Sequence, residues 1–146
     1  MATVDELVGQ KGKTVYTITA TATVLEATRE MNFRKIGALV VTCGEGKVVG
    51  MITERDVMRK VVAEERSPSE VRVSEIMTHN VICIRPETHM NQASEVMREK
   101  HIRHLPVCDE AGHLLGMVSI GDVNAYHATH QAETIGYLND YIYGRV

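Results

Sequence analysis

The chain has 146 residues, 44% of them hydrophobic, enough for one small domain or for two very small ones that share a core. Its formal net charge of −3 comes from interspersed acids and bases, with no basic face to track a phosphate backbone and no charged tail, so nucleic acid is excluded as an expected partner. No stretch approaches the roughly 18 uncharged apolar residues of a membrane span, Met1 to Lys13 carry no apolar signal region, and Cys43, Cys83 and Cys108 are odd in number and set apart; together these predict a cytoplasmic chain with reduced thiols and no membrane partner.

In chain order, Val15-Tyr16-Thr17-Ile18 is a short β-branched run between polar residues and predicts a strand. Val24, Ala27, Thr28 and Met31 then fall on one face at helical spacing. Ala38-Leu39-Val40-Val41, a turn carrying Gly46, and Val48 to Ile52 predict a hairpin, after which Thr53 opens a second helix. Ser67-Pro68-Ser69-Glu70 is a capping signature with proline at the first helical position, and predicts a tight connection instead of a floppy tether.

The same series follows again. A shift of 66 positions lays Val15 to Val57 on Val81 to Val123 without a gap, placing Ile18 on Ile84, Met31 on Met97, Gly46 on Gly112, Gly50 on Gly116 and Asp56 on Asp122. Val81-Ile82-Cys83-Ile84, the face Met90, Ala93, Met97, the run His104-Leu105-Pro106-Val107 and the strand Leu114 to Val118 are the second set of elements, with Ser119 opening the last helix. Pro106 has no N–H to give, so its strand is expected at a sheet edge or a bend. Upstream, Val4-Asp5-Glu6-Leu7-Val8 matches Val73-Ser74-Glu75-Ile76-Met77 at a shift of 69, with about three extra residues in the first copy near Gly9 to Gly12. Each copy is too small to bury a core comfortably, and the two are expected to pack as a pseudo-symmetric pair, residues 1–66 against residues 67–146. The second half ends in a tail whose Tyr126, Ile135, Leu138 and Ile142 keep helical spacing, with Tyr137, Tyr141 and Tyr143 nearby, and which suits packing on a partner or on the core.

The phrase Gly50-Met51-Ile52-Thr53-Glu54-Arg55-Asp56 recurs as Gly116-Met117-Val118-Ser119-Ile120-Gly121-Asp122. A hydroxyl followed three residues later by a carboxylate is a helix-capping pattern. The same carboxylate is an acceptor-only group suited to a vicinal diol, beside helix N–H groups that favour an anion. Both readings stand at this stage. His101 with His104, and His127 with His130, are spaced three apart and would share a helix face as metal ligands, but no acid completes a zinc pattern. No cysteine has an adjacent base, Glu64-Glu65 reads as a solvated helix end, and nothing in the chain asks for bond-making chemistry, so no enzyme and no catalytic cofactor are expected.

Two copies of strand, helix, strand, strand, helix, each closing on Gly-apolar-x-apolar-Thr/Ser-x-x-Asp, together with Ile102-Arg103-His104-Leu105-Pro106-Val107, resemble the paired CBS domain, or Bateman module, over about Val4 to Val123. The Thr53-Glu54-Arg55-Asp56 phrase is similar to that of small CBS-pair proteins without an attached enzyme. The resemblance implies an α/β (α+β) fold of two pseudo-symmetric repeats and a regulatory role, with an adenosine-containing ligand (AMP, ADP, ATP, NAD or S-adenosylmethionine) in clefts between them. Carried over by position, it assigns Thr53 and Asp56 to one cleft and Ser119 and Asp122 to the other, for the ribose and its phosphate. Arg55, Arg103 and His104 are the phosphate candidates that the two copies do not share, since Gly121, Gly37 and Ala38 stand at the matching places; one cleft is therefore expected to be richer in phosphate ligands. Val15, Tyr16, Val81 and Ile82 on the first strands, with Ile36, Ile102 and Pro106 around them, are candidates for the adenine slot. A homodimer and an unidentified protein target are the partners implied. The competing reading is a structural or dimerisation module that holds no ligand and acts through its C-terminal helix.

Overall fold

The first two helix starts are set by threonine side-chain caps. The Thr3 hydroxyl accepts from the Glu6 amide at 3.4 Å and opens α1 (Val4–Lys11), and Thr23 accepts from Glu26 at 3.1 Å and opens α2 (Val24–Arg34). The structure, a computed structural model, describes residues 2–12 and 14–130. Between these helices lies β1 (Thr17–Thr19), and after them come β2 (Ala38–Thr42), β3 (Val48–Thr53) and α3 (Glu54–Val57), which runs into a π-helical turn at Met58–Val62. The second half follows with α4 (Val73–Ile76), α5 (Met90–Lys100), β4 (His104–Cys108), β5 (Leu114–Ser119) and α6 (Ile120–His130). The expected tail helix falls on residues 131–146 and lies outside the described residues. Among the described residues no helix is long and apolar enough to cross a membrane.

The first repeat forms a three-stranded sheet, β1 parallel to β2 with Thr17 opposite Val40, and β2 antiparallel to β3 with Leu39 opposite Ile52. The second forms β4 and β5 antiparallel, with Leu105 opposite Val118. The helical faces are as the spacing predicts: Val24, Ala27 and Met31 are buried on α2, and Met90, Ala93 and Met97 on α5. Each of these helices ends on a left-handed residue, Lys35 at φ 56° and His101 at φ 54°.

Two expectations are corrected. Val81 to Ile84 is not a strand: only Ile84 bridges, parallel, to Val107. The reason is Pro106. In the first repeat the Val40 amide donates to the Tyr16 carbonyl at 3.4 Å, whereas the matching residue of the second repeat is proline and has nothing to donate to Ile82. The ladder therefore shrinks to the Ile84 contacts, Ile84 N to the Pro106 carbonyl and Cys108 N to the Ile84 carbonyl, each 2.9 Å. The second correction concerns Ser67 to Glu70, which form a turn closed by Glu70 N to the Ser67 carbonyl at 3.0 Å, with no helix on Pro68. The connection is tight all the same, because Leu25 N bonds the Pro68 carbonyl and Val24 N the Val71 carbonyl, which fixes the linker to the start of α2.

Each core is completed from the other half of the chain. Val73, Ile76 and Met77 of the α4 segment pack with Val24, Leu39 and Ile52, while Val4 and Val8 of α1 pack with Met90, Leu105 and Val118. Full burial of a side chain such as Leu39 or Leu105 is worth about 1.5–3 kcal/mol, so the exchanged helices bind the two repeats firmly. The hairpin turns also meet: Val48 N donates to Gly112 and Leu114 N to Gly46, at 3.2 and 3.3 Å, around a Lys47–His113 bridge. Gly46 and Gly112 have φ of 76° and 89°, the left-handed turn conformation that glycine adopts without strain. The matched contacts make the pseudo-twofold relation explicit.

Candidate functional site

At the end of β3, Thr53 and Asp56 cap each other. The Thr53 hydroxyl accepts from the Asp56 amide at 3.2 Å, and Asp56 Oδ2 accepts from the Thr53 amide at 3.0 Å and from its hydroxyl at 3.1 Å. Asp56 Oδ1 lies 3.2 Å from Lys60 Nζ, which also donates to the Ile76 carbonyl at 2.8 Å. The second copy repeats the box, with Ser119 N to Asp122 Oδ2 at 2.8 Å and Asp122 N to Ser119 Oγ at 3.2 Å. Both helix starts are tied across their own sheets, by Glu54 N to the Gly37 carbonyl at 2.9 Å and Ile120 N to the Arg103 carbonyl at 2.8 Å. The capping reading of the motif is therefore realised twice.

Beside the first box opens a cleft of about 580 Å³ between the repeats. The first repeat supplies Gly37, Met51, Thr53, Glu54 and Arg55 to its lining, and the second half supplies Thr78, Asn80, Val81, Ile82, His101, Ile102, Arg103 and His104. Seven of the sequence-selected residues thus come together: Thr53, Arg55, Val81, Ile82, Ile102, Arg103 and His104. Asp56 stands directly behind Thr53, its side chain 14% exposed. The other candidates lie elsewhere. Pro106 is buried within β4; Ser119 and Asp122 cap α6; Val15 and Tyr16 are half-buried on the approach to β1, with the Arg34 guanidinium 4.5 Å over the Tyr16 ring. Ile36 lines a separate groove of about 490 Å³ between α2 and α3.

The cleft is apolar at Val81, Ile82 and Ile102 and cationic at its rim. Neither Arg55 nor Arg103 has a carboxylate partner among the described residues, and each is exposed. The Ile82 carbonyl, deprived of a donor at residue 106, has no backbone partner among the described residues. In the sequence His101 stands out only by its spacing from His104, as a candidate metal pair. It in fact caps α5 while His104 opens β4, so the two are not on one helix face, yet both reach the cleft. His127 Nε2 lies 3.3 Å from Ser94 Oγ, and the side chain of His130 is outside the described set; among the described residues no three ligating side chains cluster for a metal.

Two interlocked strand and helix repeats with a cleft shared between them define a paired-repeat α/β module. The CBS domain family profile matches residues 11–63 and again residues 73–128, and the chain belongs to the CBS-domain family as a pair of such domains. It is similar to a mitochondrial CBS domain-containing protein of Arabidopsis thaliana, 37% identical over 97% of this chain and 72% of the relative. A larger Arabidopsis thaliana CBS-domain protein is 33% identical over 71% of this chain but only 19% of its own length. A protein with CBS domains from Burkholderia ambifaria superposes with a TM-score of 0.82 at 39% identity, over 89% of this chain and 96% of that one. A CBS domain protein of Pyrobaculum aerophilum in complex with AMP superposes with a TM-score of 0.75 at 27% identity, over 83% and 89% of the two chains.

Proposed function

We propose that this CBS pair is a regulatory adenine-nucleotide-binding module, which takes AMP, ADP, ATP or NAD in the cleft beside Thr53 and passes its occupancy to a protein partner in the cytoplasm. The observation that carries the reading is the pair Arg55 and Arg103, contributed by opposite repeats and lacking carboxylate partners, at the rim of a cleft with an apolar wall. A volume near 580 Å³ falls within the roughly 300–1,000 Å³ range of small-molecule sites. The AMP complex of the Pyrobaculum relative supports the ligand class. In this reading Val81, Ile82 and Ile102 flank the adenine, Thr53 and Asp56 hold the ribose hydroxyls, and Arg55, Arg103 and His104 face the phosphate. A ligand touching both walls favours whichever arrangement of the repeats it contacts better, and that population shift is the signal. The chain binds and does not catalyse. By the symmetry of the repeats, a counterpart cleft near Ser119, Asp122, Val15 and Tyr16 would have Gly121 in place of Arg55 and Ala38 in place of His104, and would be the weaker phosphate site.

The test is calorimetric titration of ligand-stripped protein with AMP, ATP and NAD. Micromolar binding of one of them is expected, and no binding by any overturns the reading. Pro106 offers a finer check. A Pro106→Val substitution restores an N–H opposite the Ile82 carbonyl, as Val40 has opposite Tyr16. The expected result is an unchanged or slightly higher melting temperature with AMP affinity down about tenfold, because a carbonyl satisfied in the ladder is lost to the adenine amine. Unchanged affinity would remove Ile82 from the site.

A second reading, association of two copies, is favoured by Phe33 on α2 and by Met58 and Val62 on the π-helical turn of the first repeat, which are 74%, 57% and 65% exposed. The matching positions of the second repeat are Glu99, Asn124 and Ala128, so a twofold dimer would bury the first-repeat face against its own copy. Phe33→Glu is expected to shift the sedimentation coefficient from dimer to monomer; a monomeric wild type would refute the dimer.

A further inference from the structure

None of the three cysteines lines the site above, and two of them, Cys83 and Cys108, stand beside each other in the fold. Ile84 is bonded on both sides to β4, its N–H to the Pro106 carbonyl and its carbonyl to the Cys108 N–H, each at 2.9 Å, in a parallel bridge centred on Val107. Side chains alternate along both segments, so Cys83 and Cys108 flank that bridge on the same face, opposite to Ile84 and Val107. Each thiol is the main influence on the other's titration. Cys83 is exposed and Cys108 is 2% exposed. At the matching places the first repeat has Thr17 and Thr42, held in a continuous three-residue ladder.

From this juxtaposition we infer that Cys83 and Cys108 are a reversible dithiol–disulfide pair, with Cys83 the attacking thiol and Cys108 the resolving one, closed by a peroxide. The exposed thiol meets the oxidant and the buried one meets only its neighbour. The Cys108 S–H stabilises a thiolate on Cys83 and holds that pKa below the usual thiol range, while the same contact, then burial, pushes Cys108 up. In the first step the Cys83 thiolate attacks one peroxide oxygen, the O–O bond breaks, and hydroxide leaves a sulfenic acid. In the second the Cys108 sulfur attacks the Cys83 sulfur, the S–O bond breaks, and water departs with the Cys108 proton as the S–S bond forms. Two thiols are oxidised and one peroxide is reduced to two waters. A disulfide needs Cα atoms about 4.4–6.8 Å apart, and diagonal neighbours in a sheet stand about 7–8 Å apart, so residue 83 must draw in slightly. The shortened ladder allows it, because Pro106 has released the chain before Ile84. Val81 and Ile82 belong to the same segment, so bond formation stiffens that wall of the cleft whether or not a ligand occupies it.

The experiment treats the reduced full chain with stoichiometric hydrogen peroxide and reads intact mass, alkylatable thiols and amide hydrogen exchange. For wild type and Cys43→Ser we expect a mass loss of one pair of hydrogens, recovery with dithiothreitol, a Cys83–Cys108 linkage in the peptide map, and slower exchange across residues 81–84. Cys108→Ser is expected to leave a dimedone-reactive Cys83, and Cys83→Ser to stay reduced at the same dose. A linkage to Cys43, a peroxide-induced covalent dimer, or wild-type Cys83 stopping as a dimedone adduct would overturn the pairing. None of these outcomes depends on nucleotide binding.

Discussion

Asp56→Ala is expected to weaken AMP binding by roughly 10- to 100-fold, the loss that follows from removing hydrogen bonds to a charged acceptor worth about 1.5–3 kcal/mol. Asp122→Ala should leave that affinity within about twofold. The comparison is informative because the two aspartates make the same pair of capping bonds, to which Asp56 adds the Thr53 hydroxyl at 3.1 Å and Lys60 at 3.2 Å. Each accepts from the backbone N–H of its cap residue, at 3.0 Å for Asp56 and 2.8 Å for Asp122, and each donates its own N–H back to the cap hydroxyl at 3.2 Å. Loss of a cap costs about 1 kcal/mol in either place. Both variants should therefore show a modest fall in melting temperature, somewhat larger at Asp56, and only Asp56→Ala should lose ligand. Asp56→Asn retains an oxygen acceptor for the Thr53 N–H and removes the charge, so it should keep more stability than alanine and still bind weakly. Calorimetry and thermal melts on the four proteins decide the matter. Equal affinity in all four would leave Asp56 as a cap alone, whereas equal losses at Asp56 and Asp122 would mean that the clefts are coupled or that folding is the cause.

The fold was legible where one residue type at one spacing has one physical meaning. The period-3.6 faces of α2 and α5, the turn glycines Gly46 and Gly112 and the paired caps at Thr53 and Ser119 are local signals, and the 66-residue repeat doubled each of them. What was not legible depended on partners distant in the chain. Val81 to Ile84 has strand composition, but the donor that would hold it is missing from Pro106, and the effect of an absent N–H appears only once the two segments are side by side. The exchange of helices was equally hidden: Val4 and Val73 carry the same pattern, and nothing local says that each serves the other half's core. For the site, the repeat singled out Thr53, Asp56, Arg55, Arg103 and His104, yet whether the cations share a cleft is a property of packing. Arg55 and His104, from opposite repeats, line the same cleft. His101 escaped as a cleft residue because its placement depends on the left-handed turn that ends α5.

Gly50→Ala is expected to destabilise the fold by about 2–3 kcal/mol, near the upper end for overpacking, and Gly116→Ala by about 1 kcal/mol, although the repeat makes the two positions equivalent. A Cβ on Gly50 would lie 2.5 Å from Met77 Sδ and 2.9 Å from the Thr78 carbonyl oxygen. That carbonyl receives the Met51 N–H at 3.1 Å, while Thr78 N donates back to Met51 at 2.8 Å, so the backbone cannot retreat without stretching a two-bond bridge. At Gly116 the added carbon would meet only side-chain atoms, Val8 Cγ1 at 2.8 Å and Cγ2 at 3.0 Å. A side chain can be shortened and a carbonyl cannot. Val8→Ala should therefore offset part of the Gly116→Ala penalty in a double-mutant cycle, whereas Met77→Ala should recover little of the Gly50→Ala loss, with urea unfolding as the readout. Because Met51 and Thr78 also line the cleft, Gly50→Ala should weaken AMP binding as well, and Gly116→Ala, acting on the α1 side, should not. Equal penalties at the two glycines, or full rescue by Met77→Ala, would show that the Met51–Thr78 bridge yields readily, and the tie between fold stability and cleft geometry would then be loose.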